Sequence, residues 1–173
     1  MEWRESEGLR TKGVSVEEIY EQFGHGEVGP QAIKEFLEYA YQSWARPSVR
    51  YVVLLGDASY DPKDYLGTGV VDWLPGYPAK TSYLWTVSDP AYGSVNGEDG
   101  IPDVAIGRLP AGSVSEAERL VGKVLAYEGG GGDFRGRAVL VADNPDVAGN
   151  FGTNADDIGA RGFWGGGGPK NYS

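Results

Sequence analysis

Tyr51-Val52-Val53-Leu54-Leu55-Gly56-Asp57-Ala58-Ser59-Tyr60-Asp61 is the stretch on which the fold turns. Five consecutive apolar residues that stop at a glycine predict a strand covered on both faces, the habit of a central parallel strand. Its exit puts Asp57 at the C-terminal edge of the sheet, where ligands of open α/β sheets bind. Two readings of Asp57 stay open: a carboxylate that caps the loop backbone, or one that faces a ligand.

Working outward toward the N-terminus, Thr11 to Val16 predicts a short strand. Ser15 with Glu18 offers a capping box for a helix through Phe23 that ends at Gly24. Pro30 opens the strongest helix. Ala32, Ile33, Phe36, Leu37, Ala40, Tyr41 and Trp44 form its apolar stripe, and Lys34, Glu35, Glu38 and Gln42 its polar face.

Toward the C-terminus, Gly56 to Pro78 is full of turn signals and predicts a long loop of little regular structure. Thr81 to Val87 and Asp103 to Gly107 predict strands, the second running into Arg108. Ser113 and Glu116 cap a helix carrying Ala117, Leu120, Val121, Val124, Leu125 and Tyr127. Arg137 to Ala142 predicts a further apolar strand leaving at Asp143-Asn144-Pro145-Asp146, a second acidic exit on the same edge as Asp57. Helices alternating with buried strands imply an α/β fold: a mostly parallel sheet with helices on both faces.

Composition narrows the chemistry. The 173 residues contain no cysteine and one histidine, His25, so no disulfide, thiolate metal site, cysteine nucleophile or two-imidazole site lies within them. A net charge of -10, with 15 basic residues among 25 acids, argues against a nucleic-acid partner. No apolar stretch reaches the roughly 18 residues needed to span a membrane. The opening Met1 to Gly8 reads as a charged helix end stopped by glycine, with Met1 an artificial or internal start, and no signal peptide opens the chain as given.

Gly24-His25-Gly26-Glu27-Val28-Gly29 has the spacing of a dinucleotide fingerprint, but a helix precedes it where that motif needs a strand. An interhelical turn is the better reading, with His25 a loop residue, and no organic cofactor is implied. Asn96-Gly97-Glu98-Asp99-Gly100-Ile101-Pro102-Asp103 gathers oxygen donors around glycines, either as an acidic hairpin turn or as ligands for a hard cation; its spacing is not that of an EF-hand.

Several of these segments, taken in order, resemble the gingipain-like cysteine peptidases. They are Glu18 to Phe23, Pro30 to Leu37, Tyr51 to Asp61, Ser88-Asp89, Asp99 to Pro110, Val124 to Glu128 and Ala138 to Asp143, covering roughly residues 3 to 158. The resemblance implies a caspase-like α/β fold, a secreted or cell-surface setting, and attack by a Cys thiolate with a His carrying the proton. In that family both catalytic residues follow the region matched, the His within a Gly-His-Gly segment, so no catalytic role is carried to His25. It also implies a carboxylate at the base of the pocket of arginine-specific members, at Asp156 or Asp157, suited to a guanidinium. Calcium is implied at Asn96, Glu98, Asp99 and Asp103, where Asn96 and Glu98 replace expected aspartates.

The expected organisation is residues 1–158 as the front portion of a peptidase domain and 159–173 as an irregular Gly-rich tail. The expected function is part of a cysteine-type endopeptidase acting on peptide or protein substrates. It lacks the Cys/His pair and is inactive without the missing C-terminal half of the domain. The alternative is a non-catalytic calcium-binding or protein-interaction module; a nucleotide-binding domain using the Gly56-Asp57 exit is a third, weaker reading.

Overall fold

The computed structural model describes residues 1–97, 99–132, 135 and 138–161. The chain divides into two compact units, Met1–Val121 and Gly122–Ser173, with the division falling inside a helix.

In the first unit, helix α1 (Glu2–Ser6) ends before Gly8, whose φ of 85° suits glycine. Helix α2 (Val16–Phe23) begins where Ser15 Oγ accepts from the Glu17 amide at 3.2 Å. That cap draws Val16 into the helix, and the strand expected from Thr11 to Val16 is not formed, since no strand pairs with it among the described residues. Helix α3 (Pro30–Ser43) starts at its proline as expected.

Strands β1 (Tyr51–Leu55) and β4 (Ala105–Leu109) form a parallel pair, with Leu54 opposite Arg108 and Val52 opposite Ile106. Between them in sequence, β2 (Pro78–Lys80) and β3 (Trp85–Val87) make an antiparallel hairpin, so Thr81 to Val87 is a turn and a strand, not one strand. A 3-10 turn, Asp89–Gly93, leads back toward β4.

The core lies on one face of the β1–β4 pair. Leu54 packs with Ile19, Tyr20, Ala32, Ile33, Leu37, Leu74, Tyr92, Val95 and Val104. Side chains alternate across a strand, so Tyr51, Val53 and Leu55 point the other way, and that face is open at 66, 65 and 52 % exposure. The expectation of a strand covered on both faces is therefore corrected. Five apolar residues in a row specify a strand but not the number of layers around it.

Helix α4 (Val114–Gly129) crosses the division between the units, and none of its residues is buried. Ser113 Oγ accepts from the Glu116 amide at 3.3 Å and Glu116 reaches back to the Gly112 amide at 2.9 Å, close to the expected capping box. In the second unit, Ala138 to Ala142 carries no regular secondary structure, and Val139 and Val141 are 67 and 89 % exposed. The strand expected there is not formed, because a strand needs a ladder partner and this stretch has none among the described residues; Arg137 lies outside them. Helix α5 (Phe151–Ala160) is capped by Asn150, which accepts from the Thr153 amide at 3.0 Å. Most of the Gly-rich tail, 162–173, lies outside the described residues.

Candidate functional site

Where β1 and β4 end, one guanidinium organises the loops. Arg108 follows the core-facing register of Ile106, so its side chain enters the protein instead of solvent. It donates through Nε and Nη2 to the two carboxylate oxygens of Asp89, both at 2.7 Å. Nη1 donates to Gly56 O at 2.9 Å and Leu74 O at 2.7 Å, and Nη2 to Pro75 O at 3.2 Å. All five N–H groups of the fork are thereby used. The hydrogen bonds to Asp89 raise the Arg108 pKa further above its ordinary value, against the opposing effect of burial. One side chain thus ties the end of β1 to the far end of its long loop and to the 3-10 turn.

A lysine repeats the device from the helical layer. Lys34 is 8 % exposed and donates to Ala91 O at 2.8 Å and to Ser94 O, with its ammonium 5.8 Å from the centre of the Tyr77 ring. Burial holds it below the usual lysine range. Its assignment to the polar face of α3 is corrected: the turn carbonyls supply the acceptors that solvent would otherwise provide. Tyr92, fully buried, donates to Pro75 O at 2.8 Å and stacks edge-on with Tyr77, and burial raises its pKa.

Tyr20 is buried beside these groups, and its hydroxyl has no hydrogen-bond partner among the described residues. Burial, with Asp72 as the second cause, pushes its pKa up to about 12.

Two glycines permit this packing. Gly56 has φ 155°, and a Cβ there would meet Leu74 Cβ at 3.0 Å. At Gly93 a Cβ would lie 2.3 Å from Val104 O, since the chain folds back so tightly that Gly93 O accepts from Val95, Asp103 and Val104.

The long loop after β1 is held by carboxylates turned on its own backbone. Asp57 Oδ1 accepts from the Ala58 amide at 3.0 Å, Asp72 from Ser59 at 2.8 Å, Asp61 from Leu66 at 2.6 Å and Asp64 from Thr68 at 2.7 Å. Of the two readings of Asp57, this geometry displays the backbone cap. Asp143 likewise accepts from the Asn144 amide at 2.7 Å, but no strand precedes it among the described residues, so the expected second strand exit is corrected.

Asp103 Oδ2 accepts from the Val95 and Asn96 amides, both at 2.9 Å, and Asp99 from the Ile101 amide at 2.9 Å; Glu98 lies outside the described residues. No three His, Cys, Asp or Glu side chains gather as a metal would require among the described residues. Asp156 and Asp157 are exposed on α5, and Asp157 pairs with Arg161 at 2.7 Å. His25 sits in the α2–α3 turn at φ 51°, followed by Gly26 at φ 85°. Unanticipated among the organising groups were Lys34 and the Arg108–Asp89 pair. A charged residue two places after Ile106 in an apolar strand was the available signal for the latter.

The fold is an α/β arrangement with a parallel strand pair, similar to a solved complex of the pro- and mature domains of Porphyromonas gingivalis RgpB. The likeness has a TM-score of 0.64 at 23 % identity, covering 90 % of this chain and 33 % of that one. A sequence model of peptidase family C25 matches residues 1–162, and the chain belongs to that family. An uncharacterized protein of Archaeoglobus fulgidus is 30 % identical over 135 residues, which is 71 % of this chain and 30 % of the relative. The chain thus spans about a third of the length of the proteins it matches.

Proposed function

We propose that this chain is the front portion of the catalytic region of a C25 cysteine-type endopeptidase, supplying scaffold while the thiolate and its histidine partner come from outside these residues. The observation that carries this reading is a family match over residues 1–162 in a sequence with no cysteine. The Arg108 junction suits such a role, because loops at the C-terminal edge of a parallel pair must be held before they can frame a site. Family membership supports a secreted or cell-surface setting and a peptide or protein substrate. No helix among the described residues is long and apolar enough to cross a membrane.

The purified chain should not cleave Arg or Lys amide substrates. Turnover abolished by His25→Ala would overturn the reading. Asp156 or Asp157 is proposed as the guanidinium-binding carboxylate of the substrate pocket. The exposed Asp157–Arg161 pair is weak enough to exchange for a ligand. Chemical-shift titration with an arginine amide should report binding that is lost in Asp156→Asn or Asp157→Asn.

The second reading is a non-catalytic calcium-binding or interaction module. Calcium at Asn96, Glu98, Asp99 and Asp103 is favoured only by the way Asp103 draws its loop closed. A stoichiometric calorimetric heat with calcium, lost in Asp99→Ala and Asp103→Ala, would support it; a null titration would remove it.

A further inference from the structure

The β2–β3 hairpin pairs with no other strand among the described residues. In an antiparallel ladder successive residues aim their main-chain groups alternately toward the partner and away. Thr81 N donates to Leu84 O at 2.9 Å and Ser88 N to Tyr77 O at 2.8 Å, so Leu84, Thr86 and Ser88 face β2. The N–H and C=O groups of Trp85 and Val87 therefore face outward, and among the described residues neither N–H finds a hydrogen-bond acceptor.

The two edges of the hairpin are not equivalent. On β2 the outward positions are Pro78 and Lys80, a proline without a donor and a lysine, both of which discourage pairing. On β3 they are Trp85 and Val87, 68 and 62 % exposed on one face of the strand, with Tyr83 at the turn 95 % exposed. Large apolar side chains held beside unpaired main-chain donors are what strand addition uses: the backbone supplies affinity and alternate side chains supply selectivity. Charge selects the partner. The loop leading into the hairpin carries Asp57, Asp61, Asp64 and Asp72 against Lys63, and the chain as a whole is at -10.

We infer that the outer edge of β3 is a docking strand for an extended polypeptide of net positive charge, gripped by Tyr83, Trp85 and Val87. This goes beyond the peptidase reading and stands without it, since binding is measured without turnover.

The test is a titration of the chain with a short peptide of alternating valine and lysine, against the same peptide with glutamate for lysine. Tryptophan emission and the amide shifts of Trp85 and Val87 are followed together. The lysine peptide should saturate with a blue shift that Trp85→Phe diminishes, and should bind about tenfold or more tightly than the glutamate peptide. Val87→Pro removes an outward donor while leaving the bonds to β2, and should weaken binding by about tenfold. If that variant fails to fold, alternate N-methylation of the peptide removes the same bonds from the other side and should weaken binding equally. Equal binding of both peptides, binding indifferent to Val87→Pro and to N-methylation, or no binding at millimolar peptide would overturn the inference. So would a concentration-dependent dimer abolished by Val87→Pro, which would make the edge a contact between copies of the chain.

Discussion

Leu54 and Val53 are neighbours on one strand, equally apolar to the eye, yet Leu54 is 4 % exposed and Val53 65 %. Leu54 looks into the layer made by α2, α3 and the 3-10 turn, and Arg108 stands opposite it, pinning the loops. Val53 looks out with Tyr51 and Leu55 over a face that no described residue buries. The difference teaches that the strength of this scaffold is one-sided. It depends on a single layer of apolar contacts, sealed at the end of the sheet by cations donating to carbonyls.

The contrast is tested hardest at its seal. Asp89→Ala leaves the Arg108 guanidinium nearly buried with its charge unpaired, and should cost about 3 kcal/mol in urea unfolding, near the lower end for a buried pair because Asp89 is 27 % exposed. A loss below about 1 kcal/mol would mean that the carbonyls, not the carboxylate, hold the arginine.

Next comes the strand itself. Leu54→Ala should lose about 2–5 kcal/mol through transfer and cavity effects, depending on how far the layer collapses. Val53→Thr should stay within about 0.5 kcal/mol, as at other exposed sites. Similar costs at the two positions would show that the outer face is covered in solution.

Tyr20 sharpens the comparison through pH. Its folded pKa, about 12, lies above the ordinary 10, so the unfolded chain gives up the phenolic proton first as pH rises. The stability held by the neutral phenol is fully present below pH 10 and is lost progressively between pH 10 and 12, amounting to about 2–3 kcal/mol. Thermal melts across that range should show the decline, and Tyr20→Phe should reduce it, with Tyr92 contributing in the same direction. At neutral pH the same substitution should stabilise by about 1 kcal/mol, because it removes a buried hydroxyl without a partner. A loss instead would reveal an acceptor for that hydroxyl, with Asp72 the nearest charge in effect.

Of the fold, the helices were the most legible. Pro30 and the stripe from Ala32 to Ala40 specify α3 locally, and Ser113 with Glu116 specifies the start of α4. Strands were less so, because a strand exists only through a partner distant in sequence. Tyr51 to Leu55 found one in Ala105 to Leu109, whereas the equally apolar Ala138 to Ala142 has none among the described residues. The candidate site was legible only as segments. Asp89 and Arg108 stood in two of the segments that carry the family resemblance, but 19 positions apart nothing linear joins them into a bidentate pair.

The sequence by itself determined the family, the α/β class and the absence of a cysteine nucleophile within these residues, since composition and ordered motifs need no third dimension. The tertiary structure alone decided which face of β1 is core, that Lys34 is inside, and that Asp57, Asp61, Asp64 and Asp72 serve their own loop. Burial and hydrogen-bond satisfaction are properties of neighbours in space, and a polar side chain takes whichever partner the fold brings within reach.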